Sequence, residues 1–468
     1  MEYRTINPAT GELIETFDFA NDSAIEEIVS TAHDVFESDW RHRPVEDRAR
    51  IIAKAASILR EKAEEYAQTI TREMGKRITE ARVEVNLSAN ILDYYAQQAQ
   101  AFLAPRELTG VSGGAKVHVY PIGVLLGIEP WNYPYYQIAR VAAPQLMVGN
   151  VLILKHAENV PQAALAFARL FEEAGAPPGV YTNVFASIEQ VGRIIDDPRV
   201  RGVTLTGSER AGAAVAERAG RNLKKVVLEL GGNDAMIVLE DAPLEWAVNT
   251  ALVGRTLNCG QVCVGSKRII VVGQQRGEQF LNGFKQAMAK LKPGNPDDAE
   301  TTLGPVSSSR ALDHLLDQIQ RASDAGAVIE CGGRRIDREG FYIEPTILSN
   351  MSADNPVYRE ELFGPIASFY VVESEDEAIR LANDTQYGLG GSVLTADVER
   401  GEQIAARIES GMVFVNRPFA TIPQLPFGGV KNSGFGRELS TAGFEEFVNK
   451  KLITTDLVGT LPTQPKGR

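Results

Sequence analysis

Long apolar runs, cysteines, histidines and surplus positive charge are all scarce in this chain of 468 residues. No uninterrupted apolar stretch approaches the roughly 20 residues that cross a bilayer, so no membrane partner is expected. Lys and Arg number 48 against 61 Asp and Glu, a formal net charge of −13 that disfavours nucleic acid and anionic membrane surfaces. Three cysteines in such a length make no disulfide framework and fit a reducing cytoplasm. Five scattered histidines form no ligand cluster with them, which disfavours a zinc dehydrogenase, and no metal is expected. Met1-Glu2-Tyr3-Arg4 is not a basic segment leading into an apolar run, so no secretion signal is expected. Also missing is the Gly-x-Gly-x-x-Gly fingerprint of the usual dinucleotide fold.

What is present reads as an α/β protein of two or three domains. Amphipathic spacing predicts helices over 23–40, 44–74 and 79–102, with Pro44 suited to a first helical position and Gly75 to an end. The Gly-rich Val111-Ser112-Gly113-Gly114 beside alternating Lys116-Val117-His118-Val119-Tyr120 predicts an exposed hairpin. From Ile122, short apolar runs at 124–128, 151–154, 203–205 and 226–228 alternate with helical segments, the pattern of a parallel sheet covered on both faces. Ligands then bind beyond the carboxyl ends of the strands, where Pro130-Trp131-Asn132, Lys155, Thr206-Gly207-Ser208 and Glu229 fall. A second α/β region follows, with helices over 243–258 and 275–291 and strands over 268–272, 342–348, 366–371, 392–394 and 412–415. Residues 428–434 read as a loop, and the tail beyond Leu461 as loose.

Two of the three cysteines lie in Thr256-Leu257-Asn258-Cys259-Gly260-Gln261-Val262-Cys263-Val264-Gly265-Ser266. Packing thiols usually sit among apolar neighbours; these sit among small and polar ones, so the stretch holds a candidate nucleophile, with a buried structural thiol as the alternative. If the segment is helical, Cys259 and Cys263 share a face, and a redox-sensitive pair competes with Cys259 as a simple space filler.

Gly260-Gln261-Val262-Cys263, Leu228-Glu229-Leu230-Gly231-Gly232 and Pro130-Trp131-Asn132-Tyr133-Pro134 resemble the active-site motifs of the NAD(P)-dependent aldehyde dehydrogenases, in that family's order. The resemblance runs from Asn7-Pro8 to Gly434-Phe435-Gly436-Arg437-Glu438. It implies a Rossmann-type cofactor domain (1–103 and 122–232), an α/β catalytic domain (233–432) and a β oligomerisation module (104–121 and 448–468) in a homodimer or homotetramer. It further implies Cys263 as nucleophile, Asn132 as oxyanion donor and Glu229 as the base for hydrolysis. For Glu229 the alternative is an ion pair with Lys224 or Lys225. The cofactor residues implied are Trp131, Lys155, Glu158, Gly207, Ser208, Leu230, Glu361 and Phe363, with Gly207 to Gly212 as the phosphate turn. A carboxylate at Glu158 accepts from a ribose 2′-hydroxyl and repels a 2′-phosphate, so NAD is expected over NADP, with an exposed Lys155/Glu158 pair at the start of a helix as the alternative reading of the two residues.

Arg140 matches an arginine with which succinate-semialdehyde dehydrogenases hold the substrate carboxylate. A second arginine of that group is Leu257 here, with Arg255 nearby. Succinate semialdehyde is therefore the expected substrate, ahead of a general aliphatic aldehyde. The presence of Glu229 disfavours a CoA-acylating relative, and the joint presence of Cys263, Glu229 and Asn132 disfavours a non-enzymatic scaffold.

Overall fold

The amphipathic repeats near the amino terminus become helices over Asp22–Ser38, Val45–Glu61, Ala63–Met74 and Ile78–Phe102 in a computed structural model that describes residues 2–110, 113–456 and 458. Asn21 caps the first, accepting the Ala24 N–H at 2.8 Å. The single helix predicted over 44–74 is two helices, broken at Lys62 (φ −105°, ψ 23°). Ile52, Ala55, Leu59, Tyr66 and Ile70 stay buried at helical intervals across the break, so periodicity carries no trace of it. Pro44 is the N-cap rather than the first helical residue, and Gly75 ends the second helix at φ 77°.

Six strands form the first sheet, in the order Gly434–Phe435, Lys225–Glu229, Val200–Thr206, Val124–Glu129, Val151–His156 and Tyr181–Asn183. All neighbours are parallel except Gly434–Phe435, which runs antiparallel to Leu228–Glu229 and begins at the last residue of the segment read as a loop. Val124–Leu126 and Val151–Leu154 are apolar on both faces because helices cover both, among them Pro134–Val148 and Pro161–Ala174. Connections leave the central Val124–Glu129 strand first to one side and later to the other. The crevice at that switch point lies at the carboxyl ends of Val124–Glu129 and Val200–Thr206.

The second sheet has seven strands, in the order Val328–Cys331, Thr346–Ser349, Ile366–Val372, Arg268–Val272, Ala235–Val238, Gly391–Leu394 and Phe414–Val415. Two of them begin later than the sequence predicts at 342 and 412, and Ala235–Val238 and Val328–Cys331 are additions to the sequence reading. A third sheet joins Arg106–Glu107, Gly114–Pro121 and Val448–Thr455, all antiparallel, so the hairpin forms and a distant strand completes it. The turn at Val111-Ser112 and the tail beyond Leu461 lie outside the described residues. Among the described residues no helix is long and apolar enough to cross a membrane.

Candidate active site

Asn132 lies between the end of the Val124–Glu129 strand and the Pro134–Val148 helix, and buried polar groups fix it there. Its carbonyl accepts from Lys76 Nζ at 2.8 Å and from Asn258 Nδ2 at 2.9 Å; its own Nδ2 donates to the Gln261 carbonyl at 3.1 Å. Lys76, fully buried, pairs with Glu84 and lies 3.6 Å from the centre of the Tyr133 ring. Glu84 also accepts the Tyr135 and Tyr136 amides at 2.9 and 3.2 Å, which satisfies the first turn of the helix. Neither residue was singled out from sequence. The signal available was a carboxylate on the buried face of Ile78–Phe102, among Ala81, Val85 and Ser88.

The helix predicted to 258 ends at Thr256, and Asn258 and Cys259 take left-handed conformations (φ 51° and 53°). Gly260 continues at φ 74°, where a Cβ would collide with the Gly364 carbonyl, so only glycine fits. This turn removes the geometry behind the proposed pair of sulfurs. Cys259 belongs instead to the apolar cluster that includes Leu312, Leu315 and Ile319, and burial pushes its thiol well up. All three cysteines are free.

Cys263 emerges where two cavities meet. One, of about 460 Å³, is walled mainly by apolar and aromatic groups including Tyr133, Tyr136, Phe419 and Phe427, with Arg140 and Leu257 also on its wall. The other, of about 240 Å³, is the switch-point crevice and holds Trp131, Asn132, Gly207, Ser208, Glu229, Leu230, Glu361 and Phe363. Burial pushes the Cys263 thiol up to about 11, with Lys267 and then Arg140 pulling the other way.

Glu229 ends its strand facing this junction. Lys224 turns to the Ile195 and Asp197 carbonyls and Lys225 pairs with Glu446 at 3.1 Å, so neither lysine neutralises it. Both Glu229 oxygens lack a hydrogen-bond partner among the described residues. Burial, reinforced by Glu438 and opposed by Arg140, raises its carboxyl well above the usual range. A carboxyl so raised is a strong base once ionised.

The crevice suits a dinucleotide. Ser208 caps the Glu209–Arg221 helix, its oxygen accepting the Ala211 N–H at 3.4 Å, so its O–H and the other first-turn amides are what a phosphate would meet. At Gly212 a Cβ would come within 2.8 Å of the Leu230 side chain, which explains the small residue. Trp131 and Phe363 meet edge to face at 5.7 Å, and Lys155 Nζ pairs with Glu158 Oε1 at 2.9 Å.

Residues 1–453 match the model of the aldehyde dehydrogenase family. The chain belongs to that family. Among its relatives, the succinate-semialdehyde dehydrogenase [NADP(+)] of Deinococcus radiodurans is 47% identical over 99% of this chain and 97% of its own. A probable succinate-semialdehyde dehydrogenase [NADP(+)] of Synechocystis is 41% identical over 97% and 99%. The crystal structure of succinic semialdehyde dehydrogenase from Streptococcus pyogenes with NADP+ superposes with a TM-score of 0.95, at 46% identity, covering 97% of this chain and 99% of that one. This aldehyde dehydrogenase is thus an oxidoreductase that acts on aldehydes.

These relatives correct the expectation of NAD: all three are named for NADP. The geometry supplies the reason the charge argument failed. Glu158 is no lone anion, because Lys155 pairs with it at 2.9 Å and offsets the charge on which the repulsion argument rested.

The aldehyde dehydrogenase also places the two arginines differently. Arg255 is fully buried and donates to the Gly260 carbonyl, a brace for the left-handed turn. Arg140 lies on the wall of the larger cavity, but it pairs with Glu438 and donates to Tyr136 Oη and Thr206 Oγ1 at 3.2 Å each. Burial works against its charge, and Glu438, Tyr136, Glu229 and Glu129 more than offset that.

Proposed function

We propose that this chain oxidises a four-carbon acid semialdehyde, succinate semialdehyde first among them, with NADP. The observation that carries the reading is Cys263 at the junction of a crevice with a helix amino terminus and a mainly apolar cavity with Arg140 on its wall. The Cys263 thiolate attacks the aldehyde carbon, and Asn132 Nδ2 with the Cys263 N–H holds the resulting oxyanion. Such donors typically contribute about 3 kcal/mol to the barrier. Bound nicotinamide supplies the hydride acceptor. Glu229 takes a proton from the water that releases the acid from its thioester with Cys263. Gly207, Ser208, Leu230, Trp131, Glu361 and Phe363 would hold the cofactor, with Lys155 at its 2′-phosphate.

Residues 1–103 and 122–232 would form the cofactor domain and 233–432 the catalytic one. The module of 104–121 with 448–468 would join subunits of a homodimer or homotetramer, a role that suits exposed Tyr120, Leu452 and Ile453. Three free thiols suit a reducing compartment such as the cytoplasm.

NADPH absorbance over a panel of aldehydes tests the substrate. Succinate semialdehyde should exceed butanal at least tenfold in kcat/KM, since one charge-assisted hydrogen bond contributes about 1.5–3 kcal/mol. Removing Arg140 alone would strand Glu438 as a buried unpaired anion. The double variant Arg140→Leu/Glu438→Gln should therefore be used, and should bring the two aldehydes within about threefold of each other, less than a single such bond contributes. Equal efficiencies in the wild type would leave a general aldehyde dehydrogenase. For the cofactor, Lys155→Met should raise the KM for NADP roughly tenfold or more by removing a phosphate partner. An unchanged KM would remove Lys155 from the 2′-phosphate site.

A further inference from the structure

A row of polar side chains crosses the first sheet at its carboxyl edge, and one of them is a carboxyl that lines neither cavity. His156 stands opposite Glu129; Glu129 follows the Ile128–Leu205 pair and so lies beside Thr206; Thr206 stands opposite Glu229. Register partners point to one face of a sheet. The Pro134–Val148 helix covers that face, since Arg140 Nη2 donates to Thr206 Oγ1 at 3.2 Å and His156 Nε2 to the Pro134 carbonyl at 3.0 Å. Glu129 is buried, and like Glu229 it has no hydrogen-bond partner for either carboxyl oxygen among the described residues. Two unpartnered carboxyls thus flank one hydroxyl in a dry interior.

The charged and titratable neighbours leave Glu129 without a cation of its own. Arg140 is paired with Glu438. His156 accepts the Ala157 N–H on Nδ1 at 2.9 Å, and burial pushes its ring down to about 4, so it is neutral. Tyr181 on the outermost strand and Tyr136 on the helix are neutral phenols, raised first by burial. Arg437, which faces Glu229, donates to the Gly429 and Gly436 carbonyls at 2.8 and 2.6 Å. Burial and then Glu438 raise both carboxyls, Arg140 opposes them, and Glu129 adds to the rise at Glu229.

We propose that Glu129 is a positioning residue for the hydrolytic base, a second carboxyl that shares one proton with Glu229 across Thr206 and so sets the pH at which the thioester is released. The proposal rests on the reading of Glu229 as that base. Two like charges so placed in a dry interior do not both form readily, and the first to ionise holds the proton on the second. As pH rises Glu129 ionises first, and its charge keeps the remaining proton on Glu229. So held, Glu229 sets no second negative charge beside the Cys263 thiolate; once ionised, it takes a proton from water.

Acetylating Cys263 with nitrophenyl acetate forms a thioester without hydride transfer, and loss of the acetyl group from the Cys263 peptide, followed across pH, reads hydrolysis alone. Glu129→Gln should move the inflection down by about one pH unit or more, making hydrolysis roughly tenfold faster than in the wild type on its acid side. A merely structural residue would instead lower the rate at every pH. Glu129→Asp, which keeps the charge, should return most of the shift. Infrared difference spectra read the proton itself: the protonated-carboxyl band that Glu229→Gln removes should titrate at lower pH in Glu129→Gln than in the wild type. Should Glu129→Gln fail to fold, Glu129→Met carries the same test, because it trades an unpartnered buried carboxyl for an apolar chain of like length. An inflection and a band that stay at the wild-type pH in the charge-removing variant overturn the proposal. Hydrolysis unslowed in Glu229→Gln would refute the base itself, whereas slowed hydrolysis there with an unmoved inflection in Glu129→Gln would refute the coupling alone.

Discussion

Replacing Cys263 with alanine is expected to reduce aldehyde oxidation on the order of 10⁴-fold or more, while NADP affinity stays within about twofold. The asymmetry follows from the two cavities. The sulfur is the one group at their junction able to form and later break a bond to the aldehyde carbon, whereas the crevice offers a ligand the amides of the Glu209–Arg221 helix, Trp131 and Phe363. Alanine fits the same turn, since Cys263 is not among the residues with left-handed φ, so no refolding is needed. NADPH formation and equilibrium NADP binding, measured on the same preparation, check both halves. Retention of more than about a hundredth of the wild-type rate would exclude Cys263 as nucleophile, because loss of a covalent nucleophile costs far more than that.

The Glu229→Gln variant should fail at a different step. Glutamine keeps the shape but takes no proton from water, so one equivalent of NADPH should appear rapidly and the steady rate should fall by roughly 10²–10⁴-fold, the usual share of a general base. Stopped-flow absorbance separates the phases; absence of both burst and slowing would take Glu229 out of the mechanism. The pH dependence has a definite sign. Burial, and next the nearby Glu438, raise the folded-state pKa of Glu229, so the base fraction and the hydrolytic rate climb with pH through a range above that of an ordinary carboxylate. Stability runs the other way. Below the unfolded value of about 4.5 both states are protonated; above it the unfolded chain ionises first, so this residue's contribution falls as pH rises toward the folded pKa. Glutamine should flatten that decline in thermal unfolding curves taken across pH.

Much of the first sheet was legible because its strands are buried on both faces and therefore write unbroken apolar runs, bounded by helices with clear caps. The Ser309–Asp324 helix is strongly amphipathic and capped by Ser308 through the Ala311 N–H at 3.1 Å, so its signal was present and simply went unread. Glu438 differs: it stood in a quoted motif, but its pairing with Arg140 joins residues far apart in the chain, and no local pattern encodes such a partner. Charge offered the least reliable inference. Glu158 read as a repulsive anion because a sequence that offers both a free carboxylate and a pair with Lys155 does not say which of them forms.

By itself the sequence determined the family, the order of the strands that carry the site, and the residues at their ends, since local propensity, apolar period and side-chain chemistry are properties of neighbours along a chain. Only the tertiary structure decided that Cys263 stands between two cavities and that Cys259 is buried behind a left-handed turn. It alone decided that Arg140 is already paired with Glu438, and that Glu361 holds Lys267. Each of these is a choice among competing partners, and it is made by burial. Removing water makes an unpaired charge costly, so packing in three dimensions, rather than distance along the chain, selects which cation meets which carboxylate.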